Sequence, residues 1–294
     1  TRTLTLSGRS RKAWSLFSPT RTRSGEASRN IRIDKELQNE ENISFAGGAV
    51  PESKAGFKPC KNDFKTKYAG SYLGIVWAFI QPIVTILVYW FVFSVGLKAG
   101  TVSDYPFVLY LVSGIVPWFF FQDALNGGTN ALIEYNYLVK KVVFKISILP
   151  IVKIISALFV HVFFVAFALI LCACYGYTPS LYTLQIIYYS VCTFLFVLGL
   201  VYATSAIVIF FRDLTQIISI FLQVGVWLTP IMWDINMLSS HPWLIKLFKL
   251  NPMYYVVTGY RDSMLGHIGI WNHASWTIYF WVVTILLFGL GSVI

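Results

Sequence analysis

Residues 73–97 read LGIVWAFIQPIVTILVYWFVFSVGL and include no charged side chain. A helix of about 20 apolar residues is long enough to cross the roughly 30 Å hydrocarbon core of a bilayer. The stretch therefore predicts a membrane-spanning helix. Its two unusual members, Gln81 and Pro82, lie near its middle, where a span that faced only lipid tails would carry neither an amide nor a helix breaker.

The whole chain shares this apolar character. It is 56% hydrophobic and 12% charged, whereas a soluble domain is about 25% charged. We predict an all-α integral membrane protein whose six spans lie near residues 73–97, 105–125, 147–174, 182–211, 215–233 and 274–294. The last span stops within its apolar pattern, so we expect the chain to be truncated in or just after span six.

Basic residues predict the orientation, because loops rich in lysine and arginine stay on the cytoplasmic side. From residue 54 onward, nine of them lie before span one, between spans two and three, or after span four: Lys54, Lys58, Lys61, Lys65, Lys67, Lys140, Lys141, Lys145 and Arg212. Four lie in the opposite connections: Lys98, Lys246, Lys249 and Arg261. We therefore expect a cytoplasmic N-terminus. Since the basic residues are distributed by membrane side, the net charge of +10 does not indicate nucleic-acid binding.

The sequence argues against catalysis on this chain. It has no GxxxxGK[ST] loop, so we expect ATP and any other cofactor to bind elsewhere. The acids after residue 100 lie in loops or near span ends, which leaves no catalytic pair. The four cysteines lack clustered ligands and are expected to pack rather than to bind metal. We expect His161 to make a helix-packing hydrogen bond and Lys153 to snorkel toward the headgroups.

The first 56 residues differ from the rest. They are rich in Ser, Thr, Arg, Gly and Glu and lack periodic apolar residues, so we predict a disordered basic extension. Organelle transit peptides have a similar composition, but an unstructured or misassigned extension is the favoured interpretation. Residues 57–294 form the predicted transmembrane domain.

The segment before span one is amphipathic. Phe57, Phe64, Tyr68 and Tyr72 recur at helical spacing, while lysines such as Lys65 occupy another face. We predict a helix on the inner membrane surface, with its lysines near anionic lipid. It is either an anchor alone or an anchor that also moves as a gate.

The loop between spans two and three predicts a second amphipathic helix. Gly127 and Gly128 are expected to end span two, and apolar residues from Leu132 to Val142 then recur at helical spacing. A solvated loop needs no apolar face, so we expect this cytoplasmic segment to dock a partner.

Residues 234–273 are long for a connection between two spans. They include the amphipathic stretch PWLIKLFK (242–249), followed by Asn251 and Pro252, which we expect to separate two short helices. These helices either lie along the outer interface or re-enter the membrane, where irregular backbone must be buried in protein or line an aqueous cavity.

Polar side chains form one stripe on span one and another on span five, each within a narrow arc of its helix. The stripe of span one consists of Gln81, Thr85 and Tyr89, with Trp77 just beyond it. That of span five consists of Gln216, Ser219, Gln223 and Trp227, with Pro230 in the same arc. Because polar groups avoid lipid, both stripes should face protein or a cavity. They either make interhelical hydrogen bonds or line a path for a hydroxyl-rich sugar, on which aromatic rings can stack.

Three stretches carry a resemblance to a known family: KNDFKTKYAGSYLGIVWAFIQP (61–82), FFRDLTQIISIFLQVGVWLTPIMW (210–233) and LNPMYYVVTGYRD (250–262). Together they resemble the permease subunits of ABC-2 type exporters of polysaccharides and polyol phosphates, which carry O-antigen, capsule and wall teichoic acid. The similarity runs from about residue 57 to the end. It implies a homodimer of this chain paired with two copies of a separate ATPase, which binds ATP and Mg²⁺.

The resemblance also implies roles for individual residues. A gate helix would include Phe64, Lys65, Tyr68 and Tyr72. A coupling helix seated on the ATPase would include Asn136, Tyr137, Leu138, Lys140, Lys141 and Lys145. The inner turn between spans four and five would be marked by Arg212 and Asp213, whose adjacent and opposite charges would pair. Outer re-entrant helices that close the exit would include Asn251, Pro252, Tyr254 and Arg261.

From the resemblance and the two stripes, we expect the permease of an ATP-driven exporter in the bacterial inner or plasma membrane. Its cargo would be an undecaprenyl-diphosphate-linked polysaccharide or teichoic acid. An ABC-2 exporter of small amphipathic drugs or lipids is the alternative. A membrane glycosyltransferase or polymerase is disfavoured, because it would require acids or histidines that converge in one cavity.

Overall fold

The computed structural model describes residues 63, 64, 67, 72–135 and 147–293. The predicted N-terminal extension, Lys65 and Tyr68 of the predicted gate helix, and the whole predicted coupling helix lie outside the described residues. The remaining predictions of spans and stripes fall within them.

The described residues form a helical bundle. The α-helices, numbered in chain order, are α1 (Trp77–Trp90), α2 (Phe107–Glu134), α3 (Ile148–Cys174), α4 (Gln185–Phe210), α5 (Leu214–Leu228), α6 (Pro242–Lys249), α7 (Pro252–Arg261) and α8 (Ala274–Val293). Short 3₁₀ segments are Gly74–Val76, Leu181–Leu184, Ile235–Leu238 and Ile270–His273, and π-helical segments are Phe91–Gly96 and Asp262–Gly266.

Within the described ranges, five helical regions are long and apolar enough to cross a membrane: Gly74–Gly96, Phe107–Glu134, Ile148–Cys174, Leu181–Phe210 and Ile270–Gly291. The chain is thus a multi-pass membrane protein, as predicted. The predicted fifth span is shorter, because α5 has only 15 residues and would rise about 22 Å. Helix α5 ends at Leu228. The next residues, Thr229 to Met232, are buried but not helical.

Helix α2 is the centre of the bundle. It packs against α1, α3, α4, α5 and α7. In its apolar 18-residue stretch, 78% is buried inside the protein. The corresponding share is 11% for the spans that contain α1 and α8. Helices α1 and α8 therefore lie at the periphery of the bundle and leave most of their surface for lipid or for another chain.

The glycines of α2 serve packing and do not end the helix. The predicted stop at Gly127 and Gly128 was wrong, since α2 continues to Glu134. A Cβ on Gly128 would lie 2.7 Å from both γ-carbons of Val201 on α4. Small residues allow such close approach of helices in membranes, and this packing overrides the weak helix propensity of glycine.

A small β-hairpin among the described residues was not predicted from the sequence. Thr101–Val102 and Tyr105–Pro106 pair in antiparallel fashion between α1 and α2. Ser103 and Asp104 form its turn with φ values of 49° and 68°, as a two-residue type I′ turn requires.

Candidate functional site

A cavity of about 240 Å³ lies among α1, α2 and α3. Its wall on α1 includes Gln81 and Thr85 of the predicted stripe and the adjoining Trp77. Its polar wall on α2 consists of Gln122, Asp123 and Asn126. Aromatic rings complete the lining, so the cavity offers amides, a carboxylate and flat apolar surfaces to whatever enters it.

Only part of the α1 stripe forms side-chain hydrogen bonds within the described residues. The Thr85 hydroxyl donates to the Gln81 carbonyl at 3.0 Å, within the same helix. The side chains of Trp77 and Gln81 are exposed on the single chain. The cavity therefore opens at α1 and is not sealed by the described residues.

The stripe of α5 does not line this cavity. Gln216, Gln223 and Trp227 are exposed and Ser219 is half-buried; the Ser219 hydroxyl donates to the carbonyl of Thr215 at 2.9 Å. An exposed polar face on an apolar helix is unfavourable against lipid tails. The arrangement calls for a second surface or for water along α5.

The two stripes meet through one aromatic pair. The ring centroids of Tyr89 and Trp227 lie 6.3 Å apart in an edge-to-face arrangement. The structure thus brings Tyr89 and Trp227 together, while the cavity that Gln81 lines has no residue of α5 in its wall. On one chain the stripes form two adjoining patches, not one closed tunnel.

His161 of α3 lies in the wall of the same cavity and is buried. Its Nε2 hydrogen-bonds with the Tyr260 hydroxyl at 2.8 Å and lies 3.3 Å from Ser190 Oγ. The predicted helix-packing hydrogen bond is therefore confirmed, and it joins α3 to α4 and α7.

A charged cluster lies at the predicted cytoplasmic end of the bundle. Lys153 Nζ on α3 lies 2.8 Å from Asp63 Oδ1 and 2.6 Å from Glu134 Oε2. The Tyr135 hydroxyl also donates to Asp63. The side chains of Asp63 and Lys153 are only 2% and 10% exposed. The expectation that Lys153 snorkels was wrong, because two carboxylates bring its charge inside the protein.

A second, more open ion pair lies beside this cluster. Lys67 Nζ lies 2.5 Å from Asp123 Oδ1, and both side chains are more than a third exposed. Phe64, between Asp63 and Lys67, packs against Phe159 with ring centroids 6.0 Å apart. The described part of the predicted gate segment is thus attached to α2 and α3, while Tyr72 is fully exposed.

The predicted inner turn lies where the sequence placed it. Arg212 and Asp213 separate α4 from α5 and are both exposed. No ion pair joins them or links either to another described residue. Side chains one position apart point in different directions, so their opposite charges remain in solvent.

The connection between α5 and α8 is organised by Asn251. Its Oδ1 accepts a hydrogen bond from the Met253 N–H at 3.0 Å and caps α7, and its Nδ2 donates to Thr229 Oγ1 at 2.9 Å. Pro252 occupies the first helical position, where its missing N–H is not needed. The predicted break between two short helices is confirmed, and Asn251 fixes the second of them to the end of α5.

Arg261, at the end of α7, holds the non-helical segment after α5. Its Nη1 and Nη2 donate to the carbonyls of Pro230 and Ile231 at 2.7 and 2.8 Å. Its Cζ lies 3.6 Å from the centroid of the Tyr110 ring on α2. Backbone carbonyls left without helical partners need donors at this depth, and Arg261 supplies two of them.

Sequence reasoning missed what Arg261 and Lys153 do. Arg261 is the one charged residue in the stretch PMYYVVTGYR, which was a usable signal. The partners of Lys153 were not predictable, because Asp63 and Glu134 come from separate parts of the chain. Among the described residues, no three His, Cys, Asp or Glu side chains converge as a metal site would require.

Comparison with known proteins agrees with these features. A family model described as ABC-2 type transporter matches residues 60–265. An O-antigen export system permease protein RfbA of Myxococcus xanthus is 28% identical over 207 residues, which cover 70% of this chain and 78% of that protein.

Two proteins of Klebsiella pneumoniae with the same description are similar as well. One is 24% identical over 231 residues, covering 78% of this chain and 86% of that protein. The other is 23% identical over 215 residues, covering 72% and 79%.

Proposed function

Because this chain belongs to the ABC-2 type transporter family, we propose that it is the permease subunit of an exporter of lipid-linked polysaccharide. The similar proteins of M. xanthus and K. pneumoniae are O-antigen export permeases, which supports a cargo of the O-antigen class. The chain carries the membrane path and is not itself an enzyme.

The observation that carries the proposal is the exposed polar face of α5 next to the open cavity of α1. Gln216 and Gln223 are exposed on a helix that is otherwise apolar. A second copy of the chain that packs against this face would enclose both stripes. We therefore propose a homodimer with the passage between its two protomers.

The proposed topology has six crossings. Five come from the long helical regions, and the sixth combines α5 with the buried segment from Thr229 to Met232 that Arg261 holds. The N-terminus lies in the cytoplasm, because the basic loops predict that side. The membrane is the bacterial inner or plasma membrane.

Energy would come from a separate ABC ATPase. ATP and Mg²⁺ bind that partner, since this sequence has no phosphate-binding loop of the P-loop type. The coupling helix from Asn136 to Lys145 would seat on it. Glu134 precedes this segment and Lys153 follows it, and their ion pair would transmit its movement to Asp63 and the gate helix.

The proposed cargo is an undecaprenyl-diphosphate-linked glycan. Uncharged amides and hydroxyls bind sugar hydroxyls weakly enough to release them, and Trp77 and Trp227 offer faces for stacking. Teichoic acid would suit the same path. Export of small amphipathic drugs or lipids is the alternative, and it would be favoured if such compounds, and not lipid-linked glycan, stimulated ATP hydrolysis by the assembled complex.

Replacing Gln81, Thr85 and Gln223 together with leucine tests the passage. Each side chain contributes about 1 kcal/mol through a hydrogen bond, so we expect export to fall roughly tenfold to a hundredfold. The measurement is surface glycan in a strain that depends on the variant, with the amount of assembled transporter determined in parallel.

The matched control is Asn272→Leu, which removes an exposed amide outside the stripes and should leave export unchanged. Wild-type export by the triple variant, at wild-type abundance, would assign the stripes to packing.

A further inference from the structure

Helix α6 and the start of α8 form a groove that shares no lining residue with the cavity at α1. Trp243, Leu247 and Leu250 line its apolar part together with Trp276. These side chains of α6 and its C-cap are more than half exposed. Tryptophan and leucine on an amphipathic helix are typical of a membrane–water interface.

A small pocket of about 70 Å³ adjoins the groove and shares Lys249 and Trp276 with it. Tyr254, Thr258 and His273 line the pocket. Lys249 Nζ lies 5.6 Å from the centroid of the Trp276 ring, which holds the ammonium group over an aromatic face. One end of the surface is therefore apolar and the other carries a positioned cation.

The charge of this surface is not balanced within the part of the chain that the structure describes. Neither Lys246 nor Lys249 has an ion pair there. The neighbouring acid Asp262 contacts His273, whose Nε2 lies 3.0 Å from Asp262 Oδ2. Burial raises the pKa of Asp262 above its ordinary value, while His273 lowers it. None of the residues that line the groove or the pocket is an acid.

We propose that this surface binds one anionic phospholipid of the outer leaflet. Its phosphate would lie at Lys246 and Lys249, and an acyl chain would lie along Trp243, Leu247 and Leu250. The order of cation, aromatic ring and apolar groove matches the order of phosphate, glycerol and acyl chain. The proposal concerns lipid held by the permease and stands apart from the exported cargo.

The test uses the full chain assembled with its ATPase and stripped of lipid in detergent. It is given equal amounts of phosphatidylglycerol and phosphatidylcholine with identical acyl chains, and native mass spectrometry counts the retained lipids. We expect phosphatidylglycerol to be preferred. The double variant Lys246→Gln, Lys249→Gln should lose this preference roughly tenfold, since each lysine near the surface attracts anionic lipid.

Two further variants separate a site from general surface charge. Lys98→Gln removes an exposed outer lysine far along the chain from the groove and should keep the preference. Trp276→Leu keeps both lysines and should reduce retention of both lipids.

An unchanged preference in the double variant, or an equal loss in Lys98→Gln, would overturn the proposal. Excess inorganic phosphate should leave bound phosphatidylglycerol in place. Its complete displacement by phosphate would also overturn the proposal, because the site would then recognise a free anion and not a lipid.

Discussion

Replacing Arg261 with methionine should lower the free energy of unfolding by at least about 3 kcal/mol, because each of its two short charge-assisted hydrogen bonds contributes roughly 1.5 kcal/mol or more. The carbonyls of Pro230 and Ile231 would lose their donors. Both residues are buried, so water cannot easily replace the guanidinium. The stacking on Tyr110 would be lost as well.

The measurement is thermal unfolding of the purified chain, followed by fluorescence-detected size exclusion. Arg261→Lys keeps the charge but cannot donate to both carbonyls in the same fork geometry, so its stability should fall between those of the wild type and the methionine variant. Arg212→Met removes the same charge from an exposed turn and should change little. Equal effects of Arg261→Met and Arg212→Met would show that Arg261 does not hold the segment after α5.

Gly114 of α2 lies directly against the guanidinium group of Arg261. A Cβ at this position would lie 2.7 Å from Arg261 Nη2. The absence of a side chain on α2 is what leaves room for the guanidinium. This explains why a glycine lies within a buried helix, where it lowers helix propensity by about 1 kcal/mol relative to alanine.

Replacing Lys153 with methionine should destabilise the chain by about 3–5 kcal/mol, because it leaves the buried Asp63 without its cation. Asp63 would keep the Tyr135 hydroxyl, which carries no positive charge. Stability is measured as for Arg261. In a complete transporter we also expect fewer glycans exported per ATP hydrolysed, since Lys153 joins the gate segment to the helix ends that flank the coupling segment.

A neighbouring ion pair supplies the control. Lys67→Met breaks the exposed pair with Asp123, and exposed pairs contribute only about 0–1 kcal/mol. Adding Asp63→Asn to Lys153→Met removes the stranded charge and should recover part of the lost stability. If Lys153→Met and Lys67→Met had the same small effect, the inner cluster would not be a structural connection.

The sequence predicted the elements whose signal is local. Long uncharged runs identified the spans, and Asn251–Pro252 identified the break between α6 and α7. These features depend on the hydrocarbon thickness and on capping chemistry, both of which act over a few residues. The identity of the family could also be read from three short stretches.

The errors concern packing between distant segments. Gly127 and Gly128 carried a stop signal by composition, but contact with α4 decided their role. The position of Lys153 near a span end suggested snorkelling. Its acidic partners, however, are Asp63, which lies 90 positions earlier in the chain, and Glu134, which lies 19 positions earlier. Local patterns contain no information on such partners. The role of the two stripes stays a prediction, and their contact through Tyr89 and Trp227 was visible only in the fold.

Single cysteines test whether the stripes face water. In a background without Cys60, Cys172, Cys174 and Cys192, cysteine is introduced at Gln81 or Gln223, and at the apolar control positions Val84 and Phe221, which are 50% and 68% exposed on the single chain. A thiol reacts as the thiolate, which needs water to form. In the assembled transporter with ATP, a membrane-impermeant maleimide should therefore label the stripe cysteines at least roughly tenfold faster than the controls. Equally slow labelling at all four positions, with and without ATP, would contradict a wet passage between two copies of this chain.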